Sequence, residues 1–178
     1  MFSHDDRFVL TFNGEIYNCR ELREQLTGLG SSFHTDSDAE VLLEAFARWG
    51  LDSLSRLNGM FAFIIFDRNK NQLFIARDHF GIKPLYWYDD AQRVIFGSEI
   101  KSLLAHPDIS AEPKTESLYE YLTFQFIMGE ATMFKNIYKV QPGHYITLDL
   151  NTWKFKTVKY WEPNFKIDEY HTEEFFIV

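Results

Sequence analysis

Apolar positions along the chain recur with two periods, and the change from one to the other marks the elements. Residues 7–12, "RFVLTF", are rich in β-branched and aromatic side chains and predict a strand. The polar stretch "FNGEIYN" (12–18) follows, with Asn-Gly as a turn signal and Asn18 as a helix cap. Cys19, Leu22, Leu26 and Leu29 then share one face of a helix that ends near Gly28 and Gly30. A second helix opens at "TDSDAE", capped by Ser37 or Asp38. Its apolar stripe is Val41, Leu42, Ala45, Phe46 and Trp49, and Gly50 closes it. "GMFAFIIFD" (59–67) is apolar almost throughout, which predicts a strand covered on both faces. "RNKN" turns it into "QLFIARD" (72–78), and "PLYWYDD" and "RVIFGSE" make a second hairpin around "DAQ". Short helices are predicted at 99–105 and 115–122, and two strands, "GHYITLDL" and "WKFKTVKYW", join at "NT". Strand runs between helical stretches point to α+β layering with sheet packed on sheet, and leave the strand order open. The tail, "EPNFKIDEYHTEEFFIV", is polar until a last apolar "FFIV". That ending reads either as the start of a further element or as a terminal strand of the same domain.

Composition narrows the class. A chain of 178 residues is long enough for one domain with a sizeable core, and 18 Phe predict a core rich in rings. No apolar run has the length to cross a bilayer, and "MFSHDDRF" lacks a signal-type apolar stretch. Cys19 is the single cysteine, so no internal disulfide can form, as expected of a cytoplasmic protein. A net charge of -8, with no clustered Lys/Arg stripe, argues against a nucleic-acid surface. The six histidines share no spacing that suggests a metal site, and no Gly-rich phosphate cradle is present.

Four stretches, in order, carry a family resemblance: "FNGEIYNCREL" (12–22), "FHTDSDAEVLLEAFARWG" (33–50), "LNGMFAFIIFDRNKNQLFIARDHFGIKPLYW" (57–87) and "FGSEIKSLLAH" (96–106). "TMFKNIYKVQPGHYITLD" (132–149) and "YWEP" (160–163) extend it. Together they resemble the class II glutamine amidotransferase domain of glutamine-hydrolysing asparagine synthetase. The resemblance implies a four-layer α/β/β/α sandwich of the Ntn-hydrolase type, here incomplete at its N-terminus. It implies a partial amidotransferase domain over 1–163 and a linker over 164–178 toward a C-terminal synthetase domain. In that family glutamine is hydrolysed to glutamate and ammonia. The ammonia passes to a synthetase domain that uses ATP and Mg2+ to amidate aspartate. This chain is expected to hold no cofactor or metal of its own, to take glutamine and the synthetase domain as partners, and to avoid nucleic acid and membrane. Self-association stays open.

The resemblance assigns roles residue by residue. Asn13, through its amide, and Gly14, through its backbone N–H, match the oxyanion hole, a pair of donors aimed where charge develops. Gly14 is expected to keep a side chain away from the reacting carbon. Glu15 is either a charged flank or part of the substrate pocket. Asp38 matches the carboxylate that binds the α-ammonium of glutamine, and is equally placed to cap a helix. Tyr17 and Asn18 are expected to pack and to cap. Arg77 and Asp78 are expected to form an ion pair that shapes the turn at Gly81 and Pro84.

One expected group is missing. The family's nucleophile is a cysteine directly after the initiator Met, where this chain has Phe2. Cys19 lies on an apolar helix stripe with no free amine beside it. The expectation is therefore an interior piece of a longer enzyme, inactive alone, with an unpaired sheet edge. Other readings are the glutaminase domain of a phosphoribosylpyrophosphate or glucosamine-phosphate amidotransferase, of an asparagine-synthetase-like ligase, or a glutamine-binding module without catalysis.

Overall fold

The computed structural model describes residues 1–165. Its first strand, β1 (Phe8–Ile16), runs straight through Asn13–Gly14, so this dipeptide is extended backbone and makes no turn. Pairing with a neighbour over the whole length overrides the local turn preference. Helix α1 (Cys19–Gly28) buries Leu22 and Leu26, but Leu29 falls beyond its end and is exposed. Asn18 precedes it without capping it. The Asn18 amide donates to the Arg56 carbonyl (2.9 Å) and accepts from the Asn58 N–H (3.0 Å), bracing a distant loop. Helix α2 (Asp38–Trp49) is capped by Ser37, whose hydroxyl accepts from the Ala39 N–H at 3.1 Å. Gly50 closes it at φ 59 and leads into a 3-10 helix (Gly50–Arg56) that periodicity did not reveal.

Strands β2 (Gly59–Asp67) and β3 (Gln72–Arg77) form the expected hairpin, and β4 (Tyr86–Asp89) and β5 (Val94–Gly97) the second one. Two helices, α3 (Ile100–Leu104) and α4 (Thr115–Phe124), come next. A short strand β6 (Ile137–Lys139), not anticipated, precedes the hairpin of β7 (His144–Asp149) and β8 (Lys154–Lys159). The apolar tail and most of the expected linker (166–178) lie outside the described residues.

The strands form two sheets, β1-β2-β3-β7-β8 and β5-β4-β6, antiparallel throughout. Phe61, Phe63 and Ile65 of β2 meet Leu42, Phe46 and Leu26 of the first helix pair. On the other face of the same strand, Ala62 and Ile64 meet Leu85, just before β4, and Trp87 and Phe96 of the second sheet. A third cluster, Tyr88, Ile137, Leu103 and Ile109, seats α3 on the outside of that sheet. The central strand is thus covered on both faces, as its apolar run requires. The outcome is a four-layer α/β/β/α sandwich.

The segment after β3 is fixed by two residues acting separately, and they make no ion pair with each other. The Arg77 guanidinium donates to the carbonyls of Gly81, Lys83 and Val140 at 2.7, 2.8 and 2.7 Å. Buried Asp78 accepts backbone N–H groups from Phe61, Phe80, Ile82 and Lys83 at 2.9–3.2 Å. A carboxylate and a guanidinium satisfy the unpaired donors and acceptors of a buried loop, which is structural work.

Candidate active site

Hydrogen bonding alternates along β1, and the alternation decides what its edge presents. Arg7 accepts from the Arg68 N–H (2.9 Å) and Tyr17 donates to the Asn58 carbonyl (2.8 Å), so odd-numbered residues bond toward β2. Even-numbered residues therefore turn their N–H and C=O to the opposite side, where β1 is the sheet edge. There the Leu10 N–H meets the Met1 carbonyl (2.8 Å), and Ser3 closes on Phe8 (2.9 Å). At the far end the Ile16 N–H donates to Asp38 Oδ2 at 2.9 Å. Between these, Phe12 and Gly14 face the open edge, with no strand beside them among the described residues.

Gly14 is required by the sheet itself. A Cβ there would lie 2.3 Å from the Met60 carbonyl oxygen and 2.7 Å from Phe61 Cα. At Gly59, close to the facing position, a Cβ would lie 2.2 Å from the Glu15 carbonyl oxygen. The two glycines let the backbones close together. The expected reason for Gly14, space for a reacting carbon, is thus joined by a packing one. The Asn13 side chain sits on the inter-sheet face and donates from Nδ2 to Ser98 Oγ at 3.2 Å. An amide nitrogen carries two N–H groups, and this bond uses one. Ser98, at the end of β5, was missed as a partner, although it lies within the "FGSEIKSLLAH" stretch.

Asp38 is brought to the same edge. Ser37 takes the capping role, which leaves the Asp38 carboxylate to reach β1 at Ile16. Ile16 and Gly14 are two residues apart, ~6.8 Å along a strand. A carboxylate and an N–H donor facing the open edge therefore stand about one extended amino-acid side chain apart. Glu15 shares the face of β1 that carries Asn13, is exposed at this end of the strand, and makes no hydrogen bond or ion pair to any described residue. Tyr17, expected to pack, is exposed. Cys19 is half-buried in the first turn of α1 against the helix-side core.

Glu40, two residues on, was missed and holds the loop that delivers Asp38. Its buried carboxylate accepts from the His34 N–H (2.8 Å), the Thr35 N–H (2.7 Å) and the Thr35 hydroxyl (2.7 Å). His4 approaches the same carboxylate at 3.3 Å. Burial by itself would raise the Glu40 pKa. The bonds from His34 and Thr35 outweigh it and bring the group down to about 2. The legible signal was a Glu inside "TDSDAE", at a position that the helix buries. Among the described residues no group of three His, Cys, Asp or Glu is placed to hold a metal ion.

The edge, the paired sheets and the two helical layers define a class of protein: a glutamine amidotransferase domain. The model of that family matches residues 1–161, and the chain belongs to the family. It is 44% identical over 167 residues to asparagine synthetase [glutamine-hydrolyzing] 1 of Bacillus subtilis, covering 91% of this chain and 25% of the relative. Asparagine synthetase [glutamine-hydrolyzing] 3 of the same organism is 38% identical over 174 residues, covering 96% and 27%. A putative asparagine synthetase [glutamine-hydrolyzing] 2 of Methanocaldococcus jannaschii is 34% identical over 161 residues, covering 89% and 31%. The chain thus spans about a quarter to a third of the length of these relatives. Among solved structures, the glutamine phosphoribosylpyrophosphate amidotransferase of B. subtilis aligns over 92% of this chain and 31% of its own, with a TM-score of 0.62 at 22% identity. That likeness establishes the fold, the α/β/β/α sandwich that the resemblance implied. Among the described residues no helix is long and apolar enough to cross a membrane.

Proposed function

We propose that this domain belongs to an asparagine synthetase and binds glutamine for hydrolysis to glutamate and ammonia along the open edge of β1. In this reading the Gly14 N–H and the second N–H of the Asn13 amide stabilise the oxyanion formed at the glutamine side-chain carbonyl. The Asp38 carboxylate takes the α-ammonium, and Glu15 flanks the pocket. A thiolate adds to the amide carbon, ammonia leaves, and water hydrolyses the thioester. That thiol is not Cys19, which is packed at the start of α1. The chain alone is accordingly expected to turn over no glutamine. The ammonia would serve an ATP- and Mg2+-dependent synthetase domain reached through a linker beyond 1–163, in the cytoplasm.

The observation that carries this reading is the outward Gly14 N–H on the same strand edge as the Asp38 carboxylate. The test is amide NMR of the 15N-labelled chain titrated with L-glutamine. The Gly14 and Ile16 resonances should shift with glutamine and not with glutaramic acid, which lacks the ammonium. Asp38→Asn keeps an oxygen for the Ile16 N–H but removes the charge, and should abolish the difference. Unmoved Gly14 resonances at tens of millimolar glutamine would overturn the site. Glutamine turnover above a Cys19→Ser control would overturn the statement about the thiol.

A further inference from the structure

The Asn13 amide is held by one side chain, and that side chain comes from the other sheet. Asn13 is exposed although it lies on the inter-sheet face of β1. Beside it is a cavity of about 110 Å³ walled by Ala62, Ile64, Leu85 and Phe96, with Asn13 and Ser98 in its lining. Space on one side and water on the other leave the side chain its full choice of rotamers, which close packing would otherwise restrict. Among the described residues its one hydrogen bond runs from Nδ2 to Ser98 Oγ at 3.2 Å. The same bond is the only one that joins β1 to the β4–β5 hairpin among those residues.

Ser98 is itself firmly anchored. It follows β5 directly, where Gly97 pairs with Tyr86 of β4. A Cβ at Gly97 would lie 2.6 Å from Ser102 Oγ and 3.3 Å from Leu103 Cδ2, so the bare backbone lets α3 fold back onto the end of the strand. Leu103 is buried in that contact. Ser102 closes the corner, its hydroxyl and its N–H donating to the Glu99 carbonyl at 2.6 and 3.1 Å. A sheet pair before Ser98 and a closed turn after it fix where its hydroxyl stands.

A hydrogen bond this open to water adds little to folding. Its effect is to select one direction for a donor, and an oxyanion hole depends on donors aimed before charge develops. We infer that Ser98 is a positioning residue for the oxyanion hole. Its hydroxyl oxygen takes one Nδ2 proton of Asn13 and so presents the other alongside the Gly14 N–H. The inference rests on the reading under Proposed function. Ser98 acts only through Asn13, so the corner between β5 and α3 sets the aim of a donor carried by the other sheet.

The test follows the Asn13 side-chain NH2 by NMR in the 15N-labelled chain, as wild type, Ser98→Ala and Ser98→Thr. Without ligand, exchange of this NH2 with water should quicken about fivefold in Ser98→Ala. In Ser98→Thr, which keeps the hydroxyl, it should return to the wild-type rate. Equal rates in Ser98→Ala and wild type would overturn the inference. With L-glutamine, the Asn13 NH2, Gly14 and Ile16 resonances should shift together in the wild type. In Ser98→Ala the Asn13 shift should fall below half, while Gly14 and Ile16 keep their shifts and their midpoint concentration. A mere tie between the sheets would instead weaken all three responses together and lower the urea midpoint, and that result also overturns the inference. So does an Asn13 shift in Ser98→Ala that matches the wild type. Should glutamine move none of these resonances in the wild type, the glutamine site fails. The ligand-free exchange rates still decide whether Ser98 holds the amide, so the two readings fail separately.

Discussion

The two outer helical layers of this sandwich occupy equivalent places and are built to different degrees of completion. In α2 the stripe Val41, Leu42, Ala45 and Phe46 is wholly buried against the five-stranded sheet, and the flanks of the layer are charged or polar. In α4 the apolar residues outnumber what the sheet covers, and all of them stay in contact with water. A stripe that finds its sheet becomes core, and one that does not becomes a surface awaiting a partner. The difference shows that apolar periodicity alone reports a helix, but not whether its face is used inside the domain.

The contrast can be broken at four points. Leu42→Ala, at 0% exposure in the first layer, should destabilise the chain by about 3–4 kcal/mol in urea unfolding. A loss under 1 kcal/mol would mean that the layer is loosely seated. Acid should unlatch the same layer through Glu40. Its folded pKa of about 2 lies below the ordinary 4.5, so its contribution is complete above pH 4.5 and is lost as pH falls toward 2. Glu40→Gln should therefore remove roughly 2–3 kcal/mol at pH 7 and flatten the acid limb of the stability profile. Ser37→Ala removes the α2 cap and should cost about 1 kcal/mol in the same assay. Smallest of all, Leu122→Ser on α4 should change the stability of the chain alone by less than about 0.5 kcal/mol. A larger loss would show that α4 is packed after all, and would erase the contrast between the layers.

Much of this was legible from residue patterns. The strand at 59–67, both hairpins, the helix opening at Ser37 and the closing Gly50 follow from periodicity and cap chemistry. Misreadings concentrate where a distant partner decides. Asn13–Gly14 carries a turn signal, but β2 pairs with it residue for residue and holds it extended. Asn18 has a cap's chemistry and uses it on Arg56 and Asn58, about forty positions away. Arg77 and Asp78 are adjacent and of opposite charge, yet each serves backbone groups elsewhere. The candidate site divides in the same way. Asn13, Gly14, Glu15 and Asp38 could be named from the motifs, and Glu40 acts within its own stretch on His34 and Thr35, whereas Ser98 reaches Asn13 from a segment 85 positions away that no local pattern brings near.

By itself the sequence determined the element types, the burial of the central strand and the family, because these depend on short-range periodicity and on ordered motifs. Only the tertiary structure decided that Gly14 turns its N–H to an open edge, that Asp38 reaches that edge, and that α4 keeps an apolar face in water. Each of those depends on which strand or helix lies alongside. A chain's local preferences do not contain that information until the layers have packed.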